Sequence, residues 1–295
     1  MPAIVAAKAA LTGPAVIAVN GVDGTLEYWP MQKGGSKHPV ALSSLTHLFF
    51  VTGMVADGNV LALANDNPAE VLEYDTSTGA VSTLPDPYGS PADIAVGKDA
   101  SLYVVNLTHA EGNVTMYPGG SPNPVELTCP FLDQGGKIAV DNEGDIFVAA
   151  FTSHNTEGVV EIPFGADGPD PRRCMQLTQL LPVEGYVAGL LVDPKTDDLV
   201  VMDDPGGCAG GDSGRLMIYR KPYKAQTALV RVVGQNCAFG MRLSADSSTI
   251  FVLDADVSEA NPFVLARSFP GGGRLGSYRD GQSEAITTIP NTLPN

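Results

Sequence analysis

One template recurs along this chain: a short apolar strand, a turn with Asp or Gly, a second apolar strand, a polar loop, and a third strand ending near Pro or Gly. The clearest copies are PADIAVGKDASLYVVN with GNVTMYPGGSPNPVEL, and GGKIAVDNEGDIFVAA with GVVEIPFGADGPDPRRCMQL. VAGLLVDPKTDDLVVMD with GRLMIYRKPYKAQTALVRV, and AFGMRLSADSSTIFVLD with PFVLARSFPGGGRLGSY, follow downstream, and two weaker copies lie upstream around AVIAVN and FFVTGMVADGNVLALAN. The residues closing the second strand of each copy are Asn20, Asn65, Asn106, Ala150, Asp203 and Asp254, spaced 45, 41, 44, 53 and 51 residues apart. That is the period of a four-stranded unit, which cannot bury both of its faces alone. Stacking such units around an axis lets each cover its neighbours. The spacing therefore predicts an all-β fold, a six-bladed β-propeller of four-stranded antiparallel blades.

Local signals agree with the period. Ile94, Val96, Leu102 and Val104, with their counterparts Ile138, Val140, Ile146 and Val148, cluster β-branched and aliphatic side chains between Gly, Asp and Pro breaks. DNEG at 141–144 and KDAS at 98–101 read as hairpin turns. With 33 Gly, 23 Pro and only 17% charged residues, the composition suits many short strands rather than helices. The first copy lacks an inner strand before AVIAVN, and EAITTIP near the C-terminus is the expected donor, closing the ring with strands from both ends. Residues 1–12 are then an N-terminal extension and 13–295 a single propeller domain.

The formal net charge of -16 repels phosphate backbones and anionic lipid, which argues against nucleic acid as a partner. No stretch reaches the roughly 18 apolar residues of a membrane-spanning helix. The start MPAIVAAKAALTG carries Lys8 inside its apolar run and lacks a basic leading region, so no signal peptide is visible. The triplets Asn106-Leu-Thr108 and Asn113-Val-Thr115 match the N-glycosylation pattern and tilt the expectation towards a secreted or periplasmic protein. Four cysteines show none of the spacings that build zinc sites. Cys208, in the long loop of the fifth copy, and Cys237, just before the next inner strand, fall on one face and are the expected disulfide, with buried free thiols as the alternative. Cys129 and Cys174 lie in outer-strand regions at different heights, a poorer match.

The copies VDNEGDIFVAA, GKDASLYVVN and LSADSSTIFVLD resemble the NHL-repeat and gluconolactonase-like six-bladed propellers, over nearly the whole chain from about Ala15 to Arg279. The resemblance implies that fold. For activity it implies lactone hydrolysis by a divalent ion at the channel mouth, held by a Glu, an Asp, and an Asn from a Pro-Asn-Gly step entering an inner strand. The entering steps here are Pro91-Ala92-Asp93, Gly135-Gly136-Lys137, Val187-Ala188-Gly189 and Ala238-Phe239-Gly240. The Asn is absent, and none of the family's ligands transfers. Asp93 keeps a carboxylate at such a step, and Lys137 sets a positive charge beside it, the makings of an ion pair.

In a toroid, the loops after each second strand share one mouth with the steps into each inner strand. That mouth carries Asn20, Asn65, Asn106, Asp203 and Asp254, with Asp93 and Lys137, as candidate ligand-binding residues. A rim of oxygen ligands admits a divalent cation such as calcium, although short polar side chains at strand ends also cap their own turns. His109 and His154, each just before a Glu-Gly pair at Glu111 and Glu157, are candidates for acid–base or metal chemistry. The leading expectation is a monomeric recognition propeller binding a small polar ligand or a protein loop on its acidic, loop-rich face. A metal-dependent hydrolase or lyase at the channel mouth is the alternative.

Overall fold

A computed structural model describes residues 15–19, 26–30, 40–41, 48, 51–107, 112–151, 157–177, 186–204, 215–224, 226–231, 238–243, 249–256, 263–270 and 284–290. Its strands form antiparallel sheets in chain order. The first has three strands, β1 (Ala15–Val19), β2 (Leu26–Pro30) and β3 (Val40–Ala41). The second holds β4 (Val51–Asp57), β5 (Val60–Asn65), β6 (Glu70–Asp75) and β7 (Val81–Pro85). β8 (Ser90–Val96), β9 (Leu102–Leu107), β10 (Asn113–Tyr117) and β11 (Val125–Thr128) make the third. The fourth is β12 (Gln134–Val140), β13 (Ile146–Phe151), β14 (Glu157–Ile162) and β17 (Met175–Gln176), interrupted by a small hairpin of β15 (Phe164–Gly165) and β16 (Gly168–Pro169). The fifth is β18 (Tyr186–Val192), β19 (Leu199–Asp204), β20 (Arg215–Tyr219) and β21 (Gln226–Arg231). The last is β22 (Ala238–Leu243), β23 (Thr249–Asp256), β24 (Phe263–Pro270) and β25 (Glu284–Pro290).

Why strands such as LYVV are apolar without interruption follows from how the sheets pack. Leu102 and Val104 of β9 point into a layer shared with Ala62, Ala64, Val71 and Leu84 of the second sheet. Tyr103 and Val105, one step out of phase, point into a layer shared with Ile138, Ile146, Val148 and Val160 of the fourth. Side chains alternate faces along a strand, so a strand covered on both sides must be apolar at every position. A third layer joins Phe147, Ala149 and Val159 to Leu190, Val201 and Met217 of the fifth sheet. The core is a set of layers between sheets. First strands meet in sequence, β4 against β8, β8 against β12, β12 against β18 and β18 against β22, as strands gathered about an axis must.

Turn chemistry fixes the hairpins. Asp141 caps the DNEG turn by accepting from the backbone N–H groups of Glu143, Gly144 and Asp145, each at 2.9 Å on Oδ1. Gly144 takes φ +94°, the left-handed conformation for which the turn needs glycine.

Three expectations are corrected. EAITTIP does not complete the first sheet: as β25 it pairs with β24 as the outer strand of its own sheet, and among the described residues the first sheet has three strands. The Gly-rich run after β24 is long enough for the chain to fold straight back, which makes the local pairing the shorter loop closure. Cys129 and Cys174 form a disulfide, with Cα atoms 6.1 Å apart. They follow β11 and precede β17, the outer strands of adjacent sheets, so the bond staples two sheets at their outer edge. Cys208 and Cys237 lie outside the described residues. Finally, the side chains of Asn106 and Asn113 are 0% and 3% exposed and donate hydrogen bonds inside the protein, so neither triplet offers a free amide for glycosylation.

Candidate functional site

Every first strand from β4 to β22 carries a bulge at the same height. The register shifts between Val51 and Gly53, Pro91 and Asp93, Gly135 and Lys137, Val187 and Gly189, and Ala238 and Gly240. A bulge bends its strand and re-aims the residue that follows. Opposite each bulge, across the ladder, sit Asn65, Asn106, Ala150, Asp203 and Asp254, paired with Val51, Pro91, Gly135, Val187 and Ala238. The bulged residues and the strand-end residues therefore lie at one end of the sheets.

The ring at the bulge reads Gly53, Asp93, Lys137, Gly189, Gly240: two charged side chains among three glycines. Gly53 is required by close approach, since a Cβ there would lie 2.7 Å from the Asp93 Cα. Gly189 is held the same way, its Cβ position being 2.8 Å from that of Met241. A Cβ on Gly240 would meet nothing within 4 Å. Space is open beside the two charges.

Asp93 is 1% exposed and is engaged by Arg242, whose Nη2 donates to Oδ1 at 2.9 Å; the backbone N–H of Ile138 reaches Oδ2 at 3.4 Å. Arg242 also donates from Nε and Nη2 to the Met54 carbonyl at 3.0 and 2.9 Å, and from Nη1 to that of Met241 at 2.8 Å. This one side chain of the last sheet thus grips the second and third sheets. Lys137, half-buried, makes no hydrogen bond or ion pair among the described residues. Burial holds its ammonium below the usual lysine range; the Asp93 charge opposes that shift and the Arg242 charge adds to it.

Of the remaining candidates, Asn65 donates to the Pro68 carbonyl at 3.1 Å and to Glu70 Oε1 at 3.3 Å, capping its own loop. Asn106 donates to Asn113 Oδ1 and Thr115 Oγ1, both at 2.8 Å, and Thr115 passes its proton to Asp86 Oδ1 at 2.8 Å. Asp203, fully buried, pairs with Arg215, whose Nε lies 3.0 Å from Oδ2. Glu157 opens β14 and Asp254 lies within β23. Asn20, His109, Glu111 and His154 lie outside the described residues. Arg242 is the member that sequence reasoning missed. Its signal was present: two residues beyond each bulge the other copies have Val55, Ala95, Ala139 and Leu191, so a lone Arg at that position stands out.

The donor set does not suit a divalent cation on the axis. The one axial carboxylate is committed to Arg242 and flanked by a second cation, and among the described residues no three His, Cys, Asp or Glu side chains gather as metal ligands.

Comparison with solved structures places the fold. The chain superposes on a structure from a nidogen/laminin complex with a TM-score of 0.63 at 13% identity, covering 90% of this chain and 96% of that one. A gluconolactonase from Xanthomonas campestris gives 0.62 at 12% identity, covering 81% and 79%. The WD40 β-propeller domain of Doa1 gives 0.58 at 11% identity, covering 94% and 80%. The fold is a β-propeller, of gluconolactonase-like and NHL-like type. No family model and no curated protein matches the sequence. Likeness at these identities establishes the fold and leaves the chemistry to the site.

Proposed function

We propose that this chain is a six-bladed recognition propeller, exported, that binds a small anionic ligand at the bulged end of its axis. The observation that carries this reading is the ring itself. Three of its five positions are glycine, and the two charged members, with Arg242, set two cations against one carboxylate. In a chain of net charge -16 that is a local reversal of sign, and Lys137 has no protein partner to neutralise it. An ammonium inside a ring of protein interacts with an anion far more strongly than one in bulk water. The Cys129–Cys174 disulfide supports export, because such bonds persist in oxidising compartments.

Thermal melting against a panel of small anions and their neutral analogues tests the reading. A ligand at about a hundred times its Kd adds about 2.7 kcal/mol to the stability of the folded state. Stabilisation by anions alone, abolished in Lys137→Met, is the expected result. No shift with any anion overturns it. A large loss of melting temperature on adding a chelator would instead point to metal-assisted hydrolysis, and stabilisation by an extended peptide alone to a protein loop as the ligand.

A further inference from the structure

Resting on the anion-site reading above, we propose that the axial site takes a small 2-oxo acid, its carboxylate held by Arg242 and its carbonyl carbon condensing with Lys137 Nζ to an imine. Lys137 and Arg242 converge on Asp93 from opposite parts of the ring, and they are not equivalent cations. Arg242 has five N–H donors, and four hydrogen bonds to Met54, Met241 and Asp93 fix its plane, leaving one Nη1 donor and the full charge to receive a carboxylate. Lys137 is free of such commitments, and the glycine at 240 leaves room beside it. A guanidinium for a carboxylate and an uncommitted amine next to it match a ligand with an acid and a carbonyl on adjacent carbons.

The electrostatics choose the amine's role. A lysine kept only to pair with an anion gains from an environment that favours its charge. Burial and the neighbouring guanidinium do the opposite, holding its pKa below the ordinary lysine value and raising the fraction present as neutral amine. That is the standing of a nucleophilic lysine. The nitrogen lone pair adds to the carbonyl carbon, a proton moves from nitrogen to the former carbonyl oxygen, and water leaves as the C=N bond forms. No oxidant or reductant is consumed.

Borohydride trapping tests this on the wild-type protein. It is incubated with pyruvate and reductant, with acetaldehyde and reductant, and with reductant alone, then read by intact mass and peptide mapping. The expected result is one reduced adduct per chain, at Lys137, formed about tenfold faster with pyruvate than with acetaldehyde, because one charge-assisted contact is lost without the carboxylate. Gly240→Phe, which fills the open space, lowers trapping while leaving the folded spectrum unchanged. Melting with lactate separates the two claims. If lactate and pyruvate both stabilise the fold and pyruvate leaves no adduct on Lys137, the anion site stands and the imine is overturned; if neither stabilises, the anion site falls. Labelling spread over surface lysines also overturns the imine.

Discussion

At the scale of single residues, buried polar groups are held by networks, and one of them leaves a titration signature. Asp86 is 5% exposed and accepts from Thr115 and from the Tyr88 backbone on Oδ1, while its Oδ2 accepts from nothing in the protein. Burial raises its pKa, and the hydrogen bonds offset part of that shift. The folded state then holds this proton more tightly than the unfolded chain. Between the ordinary carboxylate range and the raised value, stability falls as pH rises, and below that window the term is fully favourable. Asp86→Asn keeps the Oδ1 acceptor and does not titrate. The melting-temperature difference between the variant and wild type is expected to grow in the variant's favour as pH rises through the window and to be flat below it, measured by calorimetry. A difference independent of pH would show that Asp86 ionises normally.

At the scale of strands and turns, adjacent sheets are tied by side chains that leave their own element. Asp141 caps its hairpin through Oδ1, and its Oδ2 receives Lys221 Nζ at 2.7 Å and the Tyr223 hydroxyl at 3.2 Å, both from the loop after β20 in the next sheet. Lys221 also reaches Glu143 Oε2 at 3.0 Å. Tyr223 packs edge-on against Phe147, with ring centroids 5.0 Å apart. Asp141 is fully buried and Lys221 is 27% exposed, so solvent screens the pair only in part. Asp141→Ala removes cap and clasp together and is expected to cost about 3 kcal/mol. Asp141→Asn keeps the cap and should cost roughly half of that. Urea titration, with an unchanged slope, reads both; equal losses in the two variants would assign the whole effect to the clasp.

These ties also mark what the sequence could and could not disclose. The DNEG turn and the bulge steps were legible, because Asp, Gly and the tripeptides into each inner strand are local signals repeated in several copies. Asp93 and Lys137 were found that way. The Asp141–Lys221 clasp spans 80 residues and has no counterpart in the repeat, so no period could announce it. The Cys129–Cys174 bridge failed for a related reason: its geometry depends on how the hairpin of β15 and β16 displaces the outer strand of the fourth sheet. Strand-end Asn and Asp look alike in sequence whether they cap a loop, as Asn65 does, or join a buried network, as Asn106 does.

At the scale of the whole molecule, the question is what holds the last sheet to the earlier ones. The first sheet offers three described strands, and β25 serves the last sheet, so no strand exchange between the chain ends is seen among the described residues. Arg242 does part of that work from β22, hydrogen-bonded to Met54 in β4 and Asp93 in β8. Its side chain is 44% exposed towards the open space while Asp93 is 1% exposed. Removing Arg242 would leave Lys137 as the nearest counter-charge to a buried carboxylate, and Lys137 sits where it makes no bond to Asp93 now. Arg242→Met is therefore expected to cost about 3 kcal/mol, and Asp93→Asn alone about 2, with the double variant recovering roughly 1–3 kcal/mol relative to their sum. Urea unfolding of the four proteins gives the coupling. Native-state hydrogen exchange gives its place: amides of β4 and β22 should lose protection in Arg242→Met before those of β9 and β13, which lie in layers Arg242 does not touch. Uniform loss across all strands would mean that the latch is only one contact among many, and that the ring is held by its apolar layers alone.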